Sequence, residues 1–236
     1  MFGSSLGKKY WMAITGIFLM LFVIAHLLGN LQIFLGAEWM NAYAEHLEEL
    51  PILLWGARLV LGVSLLVHMV TGIWLAIENR RARPARYAVY NTVRATVASR
   101  TMVPLGLSVF CFIIFHLMHF TFGSVDPTIA ELVDAKGRHD VYSMVILGFQ
   151  NKTIASVYLL AMFFLAAHLR HGVYSFLQTL GLLKEPCVRG AKRFALIFSI
   201  LIFAGYVSIV AASLGGWLQP LQHAVSAAER GGLHGA

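Results

Sequence analysis

From Tyr10 to Leu35 the chain reads YWMAITGIFLMLFVIAHLLGNLQIFL, a run without a single Asp, Glu, Lys or Arg. A helix rises about 1.5 Å per residue and the hydrocarbon core of a bilayer is about 30 Å thick, so roughly 20 apolar residues cross it. This run is long enough. It is also far longer than the core of a signal peptide, so although Ala42-Tyr43-Ala44 downstream imitates a cleavage site, the segment reads as a retained first helix. Outward from it the pattern repeats. Between Glu49 and Glu78 the only charge is Arg58, between Arg100 and Asp126 there is none, a fourth run holds only Arg170, and a fifth holds none. The expectation is an all-α membrane protein, one domain over 1–236, with transmembrane helices at about 10–35, 52–77, 101–123, 156–178 and 194–218.

Composition agrees. Of 236 residues 58% are hydrophobic and 12% charged, where a soluble domain carries roughly 25% charged residues. The two cysteines, Cys111 and Cys187, form no C-x-x-C pattern, which argues against zinc ribbons, iron–sulfur ligation by this chain and covalently attached haem.

Eighteen Lys and Arg against eleven Asp and Glu leave a net charge of +7, and the basic residues are not scattered. Lys8 and Lys9 precede the first run; Glu38, Glu45, Glu48 and Glu49 follow it; Arg80, Arg81, Arg83, Arg86, Arg94 and Arg100 follow the second. Lys184, Arg189, Lys192 and Arg193 precede the fifth. Cytoplasmic loops are the ones enriched in Lys and Arg, so the N-terminus is expected in the cytoplasm and, after five crossings, the C-terminus outside. Topology accounts for the arginines, and no nucleic-acid partner is expected.

Six of ten histidines, His26, His68, His116, His119, His168 and His171, fall inside the runs, where ionisable side chains are costly and mark function. Topology converts their positions into depth. His26 lies nearly as far beyond cytoplasmic Lys9 as His116 lies beyond Arg100, while His68 and His168 lie comparably far past the outer charges Glu49 and Lys152. Two depth-matched pairs result, an outer one, His26 with His116, and an inner one, His68 with His168, offset by roughly 10 Å of helix rise. Each draws one imidazole from each of two helices, as axial ligation of a haem iron requires. A bare metal ion would gather more ligands at one depth. We therefore expect two haems inside a four-helix bundle, with the fifth helix peripheral.

Gly72 and Gly172 each follow an inner histidine by one helical turn and leave room for a flat macrocycle. His116 matches His26 in depth better than His119 does; His119 and His171 are read as residues around the haems or as helix-packing groups. Arg58 and Arg170 either pair with haem propionates or snorkel to the interface. His46, His139, His223 and His234 are read as solvated.

Several of these stretches resemble one family. His26-Leu27-Leu28-Gly29-Asn30-Leu31, the spacing of Arg58, His68 and Gly72, Asn79-Arg80-Arg81-Ala82-Arg83-Pro84, Asp140-Val141-Tyr142-Ser143-Met144 with Gly148-Phe149-Gln150-Asn151, and His168 to Gly172 running into Phe176-Leu177-Gln178-Thr179-Leu180-Gly181 are similar to the dihaem cytochrome b anchor of succinate dehydrogenase and fumarate reductase. The likeness is to the single-subunit, five-helix type used with menaquinone. It implies a bacterial inner-membrane anchor of complex II, docked to an iron–sulfur subunit and through it to a flavoprotein carrying FAD, and leaves room for a higher oligomer. The family's haem ligands fall on His26 and His116 (outer) and His68 and His168 (inner). A carboxylate after the first helix takes part in quinol proton exchange in some members, and Glu48 is the nearest by spacing. Two rivals remain: the haem anchor of a hydrogenase or formate dehydrogenase, told apart by its partner, and a proton-coupled or metal-ion transporter using intramembrane histidines as a relay, which would be colourless.

Overall fold

The computed structural model describes residues 4–82 and 97–226. Arg83, Arg86, Arg94 and His234 lie outside them. Among the described residues there is no β-strand, only an isolated bridge between Val133 and His139. The helices are α1 (Ser5–Leu31), α2 (Ala37–Glu48), α3 (Pro51–Arg81), α4 (Val97–His116), α5 (Pro127–Ala130), α6 (Val141–Gln150), α7 (Lys152–Thr179) and α8 (Val188–Leu214). A 3₁₀ turn, Gln32–Leu35, extends α1, and a π turn, Leu117–Thr121, extends α4.

Five of these segments are long and apolar enough to cross a membrane: Ser5–Leu35, Pro51–Arg81, Thr101–Thr121, Lys152–Thr179 and Glu185–Leu214. In hydrocarbon the backbone must bond to itself, and a helix does so without help. Their outward faces are greasy: Ile52 is 91% exposed and Leu59 69%, an arrangement that only lipid makes favourable. Inside the helices, Thr15, Thr71 and Ser213 return their hydroxyls to carbonyls one turn back, Trp11 at 2.7 Å, Val67 at 2.7 Å and Ile209 at 2.9 Å, so these three hydroxyls are not stranded. The chain is an all-α, multi-pass membrane protein.

The ends of the spans differ from the sequence expectation. The first helix begins at Ser5, not near Tyr10, and carries Lys8 into the protein. Lys8 is buried, paired with Glu78 and stacked 4.4 Å from the Trp74 ring, so it is a neutralised cation rather than a solvated flank. In the fifth span α8 starts at Val188 and stops at Leu214, after which Gly216, with φ 71°, turns the chain away. The acidic segment after the first span is also a helix, α2, entered through Gly36 at φ 100°, a backbone geometry that favours glycine.

Two compact units can be distinguished. One comprises Met1–Ile24, Gly56–Ser108 and Phe164–Leu201; the other comprises Ala25–Trp55, Val109–Phe163 and Ile202–Ala236. The second holds a hydrophobic core built around Ile33, Met40, Ile146, Phe149, Tyr158 and Ile209. In it α6 is capped at its N-terminus by Asp140, which accepts the Ser143 N–H at 3.0 Å.

Candidate haem-binding histidine pairs

In the first unit α3 presents His68 and α7 presents His168, their ring centroids 6.2 Å apart and their planes inclined by 67°. His68 Nδ1 lies 3.0 Å from the Met12 carbonyl oxygen. The carbonyl can only accept, so Nδ1 carries the hydrogen and Nε2 is left with a free lone pair. Small residues back both rings. A Cβ added at Gly16 would stand 3.1 Å from His68 Cε1, and one at Gly106 would stand 3.2 Å from His168 Cε1. His168 Nδ1 is buried without a hydrogen-bond partner.

In the second unit α1 presents His26 and α4 presents His116, with centroids 5.8 Å apart and planes inclined by 83°. His116 Nδ1 lies 3.2 Å from the Tyr158 hydroxyl. Tyr206 of α8 approaches His26 at 6.3 Å between centroids, and Gly205 beside it lets Leu27 pack so closely that an added Cβ would stand 2.8 Å from Leu27 Cδ2. The histidine-free fifth span therefore borders this pair.

Whether these pairs fit an iron between their rings is a matter of lengths. An imidazole nitrogen binds a transition metal at about 2.0–2.1 Å, and the ring centroid lies about 1.1 Å behind that nitrogen, so two collinear ligands hold their centroids about 6.3 Å apart. The observed 6.2 and 5.8 Å are close to that separation. Beside the first pair a Cβ at Gly172 would meet nothing within 4 Å, and one at Gly72 only Met12 Sδ at 3.8 Å, leaving the side-chain-free space a macrocycle needs. The residues present fit the group.

The other expected site residues are placed differently. His119 is 0% exposed on the π turn, against Phe115 and Phe120, with Nδ1 3.0 Å from the same Tyr158 hydroxyl; the histidine ring paired with His26 above is that of His116. His171 is half-buried on α7, while Arg58 and Arg170 are exposed on α3 and α7. Glu48 is exposed as the last residue of α2.

Its neighbours are more engaged. Glu38 pairs with Lys136 at 2.7 Å and Arg138 at 2.9 Å, and Arg138 also holds Asp134 at 2.7 Å. Those bonds keep the Glu38 carboxyl below its ordinary range. Burial alone would raise Asp134, but the Arg138 side chain, the Arg138 and Lys136 backbone N–H groups and Asn41 hold it down to about 2. Buried Asp140 accepts from Asn41 Nδ2 at 3.0 Å, and His223 Nε2 stands 3.6 Å from its other oxygen. His139 Nε2 lies 3.0 Å from the Ala130 carbonyl oxygen. His139 is thus tied into the protein, contrary to the solvated reading, whereas His46 and His223 are exposed, as that reading expects.

Tyr158, Tyr206, Gly16, Gly106 and the Met12 carbonyl were not singled out from the sequence. A tyrosine, a backbone oxygen or a glycine on an apolar helix carries no charge or spacing signal; only the fold shows that each touches an intramembrane histidine. The chain matches no protein-family model, no curated protein and no solved structure.

Proposed function

We propose that the chain is the dihaem cytochrome b anchor of a succinate:quinone oxidoreductase, a succinate dehydrogenase or fumarate reductase, in a bacterial inner membrane. The observation that carries this reading is the pair of neighbouring imidazoles in each unit, with ring centroids at 6.2 and 5.8 Å. His68 with His168, and His26 with His116, would each hold one haem b. Bound there, the haems supply one-electron couples whose potentials follow from axial ligation, burial and neighbouring charge.

The chain's own residues orient the ligands and keep water out. The Met12 carbonyl accepts from His68 Nδ1–H, which fixes the ring's orientation and tautomer and makes its Nε2 more basic. Gly16 and Gly106 let two helices come close enough to support the rings. The apolar spans exclude water from both sites. In this reading an iron–sulfur subunit, itself fed by the FAD of a flavoprotein, exchanges electrons with this chain, and menaquinone takes up two electrons and two protons at it. Arg58, Arg170, His171 and Glu48 have no assigned step.

The test is to purify the chain with whatever partners accompany it and record a reduced-minus-oxidised spectrum with a pyridine haemochrome count. Two b haems per chain, with a flavoprotein and an iron–sulfur protein copurifying, are expected. A colourless protein overturns the reading.

A further inference from the structure

Tyr158 lies 5% exposed on α7, and its hydroxyl stands between two imidazoles, 3.2 Å from His116 Nδ1 and 3.0 Å from His119 Nδ1. Around it are Phe112 at 4.9 Å and Phe149 at 4.9 Å, with Phe115 and Phe120 beyond. No ring offers the phenol a strong acceptor. The two histidine nitrogens are its hydrogen-bonding surroundings.

The hydrogens in this group can be counted. A phenol has one hydrogen to give and lone pairs to receive, and a neutral imidazole has one N–H and one bare nitrogen. If His116 turns Nε2 to an iron, as proposed above, its Nδ1 carries the hydrogen and donates to the Tyr158 oxygen. The phenol hydrogen then goes to His119 Nδ1. Were His119 Nδ1 also protonated, two N–H groups would converge on one oxygen and the phenol hydrogen would be idle among aromatic rings. The consistent order is His116 Nδ1–H to Tyr158 O–H to His119 Nδ1, and it obliges His119 to carry its own hydrogen on Nε2. That atom is buried and has no partner. The ring is nonetheless held: it lies on the π turn, a helix distortion common at functional sites, and a Cβ added at Gly148 would stand 3.1 Å from its Cε1.

We infer that Tyr158 is a positioning residue joining His116 to His119, and that the chain of bonds ends in an N–H donor at His119 Nε2 kept for an oxygen acceptor of a bound molecule, a haem propionate or a quinone carbonyl. This rests on the haem reading. An unpartnered buried donor is costly, and an anionic or carbonyl oxygen is the chemistry that relieves it. Tyr158 also sets ligand strength, because a hydrogen bond accepted from Nδ1–H makes Nε2 the better donor to iron and favours the ferric state.

The experiment is potentiometric titration of the two haems in the purified complex, with haem content measured beside it. Tyr158→Phe is expected to raise one midpoint, leave the other in place and keep two haems per chain. His119→Met removes the terminal donor, while His119→Gln keeps an N–H at nearly the same reach and is expected to restore wild-type behaviour. If the acceptor is a propionate, His119→Met lowers the same midpoint in quinone-depleted protein. If it is a quinone carbonyl, both midpoints stay and KM for a menaquinone analogue rises about tenfold, the loss of one buried hydrogen bond. A two-haem complex in which Tyr158→Phe moves neither midpoint, or in which His119→Met changes neither potential nor KM, overturns the inference. A wild-type protein without haem overturns the proposed function instead. Should Tyr158→Phe fail to assemble, the His119 variants decide.

Discussion

At Gly106 one added carbon would stand 3.2 Å from His168 Cε1, and at Gly16 one would stand 3.1 Å from His68 Cε1. Contacts that short force the ring to shift, and a ligand displaced by a few tenths of an ångström no longer meets a metal at its bond length. On the proposed haem reading, Gly106→Val is therefore expected to cut the haem count from two per chain to about one, as His168→Ala should by deleting the ligand. Both should halt quinone reduction while a dye that accepts electrons upstream still reports succinate oxidation. Unchanged haem in both variants would remove the inner-pair assignment. Gly172 tests the space rather than the ligand. An added Cβ there meets no protein atom within 4 Å, and Ala favours a helix over Gly, so Gly172→Ala should not lower the thermal stability of the haem-free fold but should lower haem content by haemochrome assay. Full haem occupancy in that variant would show that no macrocycle lies against it.

Among the elements, α6 depends most visibly on a single residue. Asp140 caps it, accepts from Asn41 and faces His223. Asp140→Ala should destabilise this unit by about 1–3 kcal/mol, the combined effect of a lost cap and an orphaned amide, read as a lower melting temperature in detergent. Asp140→Asn retains both acceptor functions and should lose less. The neighbouring ion pairs predict a pH effect whose sign is fixed. Asp134 is held at about 2 in the folded protein, below the ordinary value of about 3.9, so its stabilisation is complete above about pH 4 and disappears as pH falls through about 2. Arg138→Gln removes the principal partner, and pepsin cleavage of the 131–140 segment should then begin at a higher pH than in the wild type. An unshifted onset would mean that Arg138 does not hold this segment. These features were hidden from sequence for a physical reason. The five spans announce themselves because a missing charge over a bilayer's thickness has no other use. By contrast, Asn41 reaches Asp140 and Tyr142 across about a hundred residues, and no local pattern records such a partner. The π turn at Leu117–Thr121 is likewise invisible, since it changes which way His119 faces without changing any residue type.

For the whole molecule, the histidine pairs were legible because topology turns residue number into depth, so orientation in the bilayer is the premise most in need of its own measurement. The structure alters its arithmetic. Lys8 is neutralised by Glu78 and buried, which leaves Lys9, Arg80 and Arg81 as the described basic residues flanking the first two spans on that side, with Lys184, Arg189, Lys192 and Arg193 before the fifth. Glu38, Glu45, Glu48 and Glu49 follow the first span in sequence. Lys and Arg decide orientation and carboxylates contribute little, so the bias survives the loss of Lys8. A fluorescent protein fused after Arg81 should fluoresce, and alkaline phosphatase fused after Val225 should be active, because the first folds in the cytoplasm and the second only outside it. Exchanging the two reporters should silence both. The reverse pattern would invert the depth assigned to every histidine: His26 with His116 would become the pair nearer the cytoplasm and His68 with His168 the pair nearer the outer surface, while the pairing within each unit, which rests on the 5.8 and 6.2 Å separations and not on charge, would stand unchanged.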